Sequence, residues 1–124
     1  MKILVVDDEK DVQVLFEQRF RKEIRNNEMQ FVFAFSGEDA IAYLNQHEHE
    51  AVLILSDINM PGMSGLELLG HIKQKYHKPP PVVMMITAYG DAENYNMAKE
   101  LGADDFLTKP VDFTVLKEKL KPTN

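Results

Sequence analysis

Val52 to Ser56 run as apolar or small residues straight into Asp57, and Pro61-Gly62 turns the chain almost at once. A short continuous apolar run bounded by turn residues has the pattern of a strand buried on both faces, as in parallel sheets covered by helices. No other stretch restricts the fold as much. Parallel neighbours cannot be joined by a hairpin, so each strand needs a crossover of about a dozen residues or more. An acid at the carboxyl end of such a strand stands at the edge where α/β proteins hold their ligands. Asp57 reads as a placed carboxylate.

The rest of the chain supplies the crossovers. Ile3 to Val6 is a β-branched apolar run ending on Asp7-Asp8-Glu9. A helix is expected over about Glu9 to Arg25, with Val12, Leu15, Phe16, Phe20 and Ile24 on its inner face and Asp8 as N-cap. Gln30 to Phe35 alternates Phe31, Phe33 and Phe35 as a second strand. Ser36 then caps a helix carrying Ala40, Ile41 and Leu44 inward, with an acid three residues on. The opening strand comes third. Helix three starts near Ser64-Gly65, carries Leu66, Leu69, Ile72 and Tyr76, and ends before Pro79-Pro80-Pro81. Val82 to Ile86 is the fourth strand, met by Thr87-Ala88. Helix four covers about Asp91 to Leu101 and stops at Gly102, which suits a C′ position. Asp105 to Thr108 is a short fifth strand meeting Lys109-Pro110, and a last helix near Phe113 to Leu120 buries Phe113, Leu116 and Leu120.

Five βα units in strict alternation predict an α/β fold with a doubly wound, five-stranded parallel sheet of flavodoxin-like (βα)5 type. Right-handed crossovers favour the strand order 2-1-3-4-5. At 124 residues, 44% of them apolar and 27% charged, the chain is expected to be one globular domain over residues 1–124. A net charge of −6 argues against direct nucleic-acid binding and against an anionic membrane surface. The absence of cysteine excludes a disulfide framework and a thiolate zinc site. The apolar run at the N-terminus is too short for a signal peptide and no stretch could span a bilayer, so a cytoplasmic location is expected.

In this topology Asp7, Asp8, Asp57, Thr87 and Lys109 stand at the same edge of the sheet. Carboxylates converging there repel one another unless a cation lies between them. An all-oxygen donor set with no His or Cys suits a hard ion, Mg²⁺ before Mn²⁺ or Ca²⁺, which leaves room for phosphate oxygens. Lys109 adds a positive charge and Thr87 a hydroxyl donor. A carboxylate beside a divalent ion, a lysine and a hydroxyl is equipment for receiving a phosphoryl group. Asp57 is the expected nucleophile and phosphoacceptor, Asp7 and Asp8 hold the metal with Asp57, and Asn59 is a candidate for a backbone carbonyl ligand. Taken singly, each piece has a plainer reading: an Asp pair before a helix is usually a cap, and a Lys-Pro step is commonly a loop. Their joint placement at four strand ends makes the case.

Asp7-Asp8, Ser56-Asp57-Ile58-Asn59-Met60-Pro61-Gly62-Met63-Ser64-Gly65, Thr87-Ala88 and Phe106-Leu107-Thr108-Lys109-Pro110 together resemble the receiver domain of two-component response regulators. The resemblance covers essentially the whole chain. It implies that a sensor histidine kinase or phosphotransfer protein passes a phosphoryl group to Asp57 with Mg²⁺ present, making the chain a signalling domain rather than an enzyme with an outside substrate. It also implies that Lys109 contacts the phosphoryl group, that the Lys109–Pro110 peptide is cis, and that Thr87 moves toward the phosphate while Phe106 rotates inward. The readout face implied is helix four, strand five and helix five, at about Asp91 to Leu120, where an output domain, a partner or a second copy would bind. The family often has Tyr where Phe106 stands. Asn59 and Tyr89 fall at variable positions that tune hydrolysis of the acyl phosphate.

Two other readings use much of the same equipment. A receiver-like domain working by contact alone would usually lack one of the acids, the threonine or the lysine. A haloacid-dehalogenase-type phosphatase would carry its nucleophile on the first strand as Asp-x-Asp, with a cap domain. A dinucleotide site is excluded by the lack of G-x-G-x-x-G after strand one. His47-Glu48-His49 reads as a solvated loop and His71 and His77 as surface residues. Met84 and Met85 read as core filler, and the proline run before strand four as a rigid connector.

Overall fold

The computed structural model describes residues 1–47, 50, 52–75 and 81–121. Glu48, His49, Tyr76, His77, Pro79 and Pro80 lie outside the described residues. Five strands, β1 (Lys2–Val6), β2 (Gln30–Ala34), β3 (Val52–Asp57), β4 (Val82–Thr87) and β5 (Asp105–Thr108), form one sheet in the order β2-β1-β3-β4-β5. Every pairing is parallel. The helices are α1 (Asp11–Arg19), α2 (Arg21–Arg25), α3 (Gly37–Gln46), α4 (Gly65–Lys75), α5 (Ala92–Glu100) and α6 (Phe113–Leu120). This is the doubly wound order expected from the alternation of elements.

Alternation along each strand sends side chains to opposite faces, and the core divides accordingly. Leu4, Val6, Ile54, Val83 and Met85 pack with α3, α4 and α5 through Ala40, Leu44, Leu68, Leu69, Ile72 and Ala98. Ile3, Val5, Leu55, Met84, Ile86 and Leu107 pack on the other face with Phe16, Phe20, Leu116 and Leu120 from the remaining helices. Because β1 and β3 are neighbours while their crossovers leave in opposite directions, the carboxyl ends of these two strands flank the switch point of the sheet. The residues that follow them are Asp7 and, as the last of β3, Asp57.

The first helix departs from expectation. It starts at Asp11 after Lys10, which offers no side-chain cap, so Asp8 is not the N-cap. Its path breaks at Phe20 (φ −110°, ψ 21°), where α2 begins. The bonds Phe20 N–H to Phe16 O and Ile24 N–H to Phe20 O, both 2.9 Å, survive the break, so the chain kinks without unravelling. Packing supplies the cause. The fully buried Phe20 ring lies 4.9 Å from Phe31, 5.9 Å from Phe16 and 6.0 Å from Phe113 between centroids. Seating one ring among three aromatic neighbours outweighs the small preference for a straight helix. Leu15, expected to face inward, is 41% exposed, which follows from the same shift of the buried stripe onto Phe16 and Phe20.

Smaller differences are local. β2 stops at Ala34, one residue short of Phe35. His71 is inside α4 and half-buried rather than on the surface. The Ser36 cap behaves as read from the sequence, its Oγ accepting from Asp39 N–H at 3.0 Å. Gly102 takes φ +100° directly after the last turn of α5.

Phe20→Ala empties the centre of the aromatic cluster and should cost about 3–5 kcal/mol. Urea unfolding followed by circular dichroism measures it, and a loss under ~1 kcal/mol would contradict the packing cause of the kink.

Candidate functional site

Asp57 ends β3 with its side chain 4% exposed. Two neighbours hold the carboxylate: Ile58 N–H donates to Oδ1 at 2.8 Å, and Lys109 Nζ donates to Oδ2 at 2.9 Å. Asp7, also buried, accepts at Oδ1 from Glu9 N–H at 2.9 Å, which fixes the turn out of β1. One carboxylate oxygen from each of Asp7, Asp8 and Asp57 lies within 4.8 Å of the others. Asp8, which is exposed, completes this triad from the solvent side.

Burial pushes the Asp7 carboxyl above its ordinary value; the Glu9 N–H works against it, and the negative charge of Asp57 adds to the rise. For Lys109, burial is the largest influence and lowers the pKa. The hydrogen bond and charge of Asp57, with Asp7 and Glu9 behind it, outweigh burial and hold Lys109 above its usual range. Lys109 is the ammonium in hydrogen-bond contact with Asp57. The donor set suits a hard cation, since every donor is a carboxylate oxygen and the three lie within 4.8 Å of one another.

β4 and β5 bring the remaining residues. Thr87 is buried at the end of β4 and its Oγ1 donates to Leu107 O at 3.4 Å, while Lys109 N–H donates to Thr87 O at 2.8 Å. The Lys109–Pro110 peptide is cis. Asn59 is exposed, two residues past Asp57. Phe106 stands apart from them, packed with the α3–α5 side of the core, its ring 4.3 Å from that of Tyr95. A cleft of ≈ 460 Å³ opens beside Lys109, bounded by Asp7, Glu9 and the apolar side chains of Phe16, Pro110 and Phe113.

Residues 3–121 match the response regulator receiver domain family. The chain belongs to the response regulator receiver family. Similar solved structures include a response regulator receiver protein from Pseudomonas putida (28% identity over 94% of this chain and 92% of that one, TM-score 0.78). Vibrio cholerae chemotaxis protein CheY4 is 26% identical over 96% of this chain and 94% of its own, with a TM-score of 0.77. A two-component system response regulator/GGDEF domain protein is 26% identical over 97% of this chain but 47% of that one, with a TM-score of 0.83. Receivers are signalling domains, and their acidic pocket typically takes Mg²⁺. In this receiver the acid at the sheet edge with a lysine on it ends the third strand, and the first strand carries no Asp-x-Asp pattern. Neither the phosphatase reading nor the contact-only reading is favoured.

Two contributors escaped the sequence reading. Glu9, read only as the start of the first helix, lines the cleft beside Lys109, and its charge helps to hold the Lys109 pKa up. Gly65 was read as a helix start, yet it is the point where α4 rests on the end of β3. Its N–H donates to Ile58 O at 2.7 Å, and a Cβ there would collide with the Asp57 carbonyl oxygen and lie 2.7 Å from Ile58 Cα. A glycine where a helix begins was the signal that the sequence offered, since glycine forgoes helix stability.

Gly65→Ala should therefore destabilise the receiver by at least the ~3 kcal/mol at the top of the usual overpacking range, because backbone rather than a side chain must move. Thermal denaturation measures it, and a neutral result would mean that the α4 contact is loose. A second expectation concerns charge. A carboxyl whose folded pKa is raised stabilises the fold below its unfolded value, 3.8 for Asp7, and loses that contribution as pH rises through the folded value. In chelator, Asp7→Asn should then raise the melting temperature at neutral pH, with the gain shrinking as pH falls toward 3.8. A lower melting temperature at neutral pH would contradict the burial and repulsion assigned to Asp7.

Proposed function

We propose that the chain, read as one receiver domain over residues 1–124, is a phosphorylation-dependent signalling switch. Its phosphoryl group comes from the phosphohistidine of a sensor histidine kinase or phosphotransfer protein. The observation that carries the reading is a buried Asp57 carboxylate bound to Lys109 at 2.9 Å inside a triad of acids. In the transfer, a carboxylate oxygen of Asp57 forms the bond to phosphorus as the P–N bond breaks, and the bond pair returns to the imidazole nitrogen. Lys109 stands where the incoming phosphoryl oxygens need positive charge. Asp7 and Asp8, with Asp57 and the main-chain carbonyl of Asn59, would hold Mg²⁺, with Mn²⁺ as the substitute. When bound, that ion neutralises charge on the phosphoryl oxygens, which is most of what such a transfer requires. Self-phosphorylation and self-dephosphorylation are the only reactions expected.

The switch rests on the Thr87 hydroxyl. Its bond to Leu107 O, at 3.4 Å, is long for an O–H···O contact. A phosphoryl oxygen is a stronger, charged acceptor. Phosphorylation draws Thr87 off β5 and frees the space into which Phe106 turns from its place on Tyr95. The contacts that differ between the two states are what bias the equilibrium. The surface that changes is α5, β5 and α6, where Tyr95, Met97, Leu101 and Val115 are exposed. An output domain, a partner or a second copy binds there, and a relative that joins a response regulator to a GGDEF domain supports an attached output. No helix among the described residues is long and apolar enough to cross a membrane. With the chain's acidic balance, that supports a cytoplasmic setting in which this domain itself does not touch nucleic acid or lipid.

Intact-mass measurement after incubation with phosphoramidate and Mg²⁺, or with a phosphorylated kinase, tests the assignment. The expected result is one phosphoryl group on the unmodified protein and none with Asp57→Asn or in EDTA. Uptake that survives Asp57→Asn would move the acceptor elsewhere, and no uptake from any donor would leave only the contact reading.

A further inference from the structure

The loop after Asp57 leaves β3 and returns to α4 at one place, where Gly65 N–H meets Ile58 O. Between these ends, residues 59–64 form a short excursion that carries Asn59 past the acids. Pinning the two ends does not fix the tip. Two methionines do so: Met60 is buried, and Met63 is half-buried against the α3–α5 side of the core. Met63 lies on Gly37, the first residue of α3. A Cβ on Gly37 would come 2.9 Å from Met63 Cγ and Sδ and 3.0 Å from Met63 Cβ. Gly37 has no positive φ that would demand glycine, and it opens a helix already capped by Ser36. The close approach of Met63 is thus the local reason for the missing side chain.

Resting on the phosphoacceptor reading and extending it, we propose that Gly37 is a positioning residue for Asp57. By leaving the gap in which Met63 seats, it holds the 58–64 loop, and Asn59 with it, against the acidic site. α3 acts on the reaction through that loop, and the Gly37–Met63 contact is one tie between the helix next to the edge strand β2 and the loop that follows the phosphoacceptor, with the Glu38 carboxylate beside Gly62 as another.

Gly37→Ala puts one methyl group into the space that Met63 fills, and comparison with a helix glycine that has room for a Cβ separates this role from the general effect of alanine in a helix. Gly70→Ala is the control: its Cβ would meet only Leu101 Cδ2, at an ordinary 3.8 Å. Hydrogen exchange of residues 58–64 in metal-free protein and calorimetric Mg²⁺ titration are the two readouts. Gly37→Ala should speed exchange in the loop and weaken Mg²⁺ binding by about tenfold, the scale of overpacking one methyl group. Gly70→Ala should change neither. Met63→Ala should loosen the same loop, and the double variant should be no worse than the worse single one, because both break one contact. Unchanged loop exchange in Gly37→Ala, or losses that add in the double variant, would overturn the proposal. A wild-type protein that binds no Mg²⁺ and takes no phosphoryl group would instead overturn the phosphoacceptor reading, while loop exchange would still decide whether Gly37 braces the loop.

Discussion

Three carboxylates whose oxygens can lie within 4.8 Å of one another repel, and this receiver holds them together against that repulsion. Among the described residues, the hydrogen bond from Lys109 to Asp57 is the direct counterweight from a positive side chain. Everything else that keeps the acids converged is indirect. Backbone N–H groups of Ile58 and Glu9 fix two of the carboxylates, and the strands bearing them are fixed by a sheet buried on both faces. Burial of apolar side chains supplies the stability against which the crowding of charge is set. The strain is local and useful, because a crowded acidic site has the most to gain from a cation.

The same dependence explains why glycine matters around β3. Asp57 can be positioned only as well as the backbone on which it sits, and that backbone is touched directly by α4 at Gly65. Close backbone approach converts a helix packing contact into a constraint on the acid. The chain after Asp57 is then tethered by core methionines, so the apolar core and the site are one mechanical unit. On the β5 side the link is polar: Thr87 and Lys109 are joined through main-chain and hydroxyl bonds across β4 and β5. A loop braced by packing and a strand edge held by one long hydrogen bond differ in stiffness. The second is the one suited to move.

Much of this was legible in the order of residues. The apolar runs of β1, β3 and β4 and their acids and threonine were visible because a strand buried on both faces cannot be polar, so a carboxylate at its end stands out. The caps Ser36 and Gly102 were visible because helix ends have local chemical demands. The last strand and helix, Asp105–Thr108 and Phe113–Leu120, lie where the pattern put them. The first crossover was read less well. Periodicity offered one helix with Leu15 on the inside, whereas the aromatic cluster around Phe20 kinks the chain and leaves Leu15 exposed.

By itself, then, the sequence determined the alternation of strands and helices, the winding of the sheet and the gathering of Asp7, Asp8, Asp57, Thr87 and Lys109 at one edge. These follow from short-range patterns: hydrophobic period, turn chemistry and the rule that sends parallel strands out at the same side. Tertiary structure alone decided the kink at Phe20, the half-burial of His71, the place of Glu9 and Lys109 in one cleft and the closeness of Gly65 and Gly37 to their neighbours. Each of these depends on which atoms from distant parts of the chain arrive within a few ångströms. A glycine or an acid has the same letter whether its neighbour is water, a methionine or the carbonyl of Asp57.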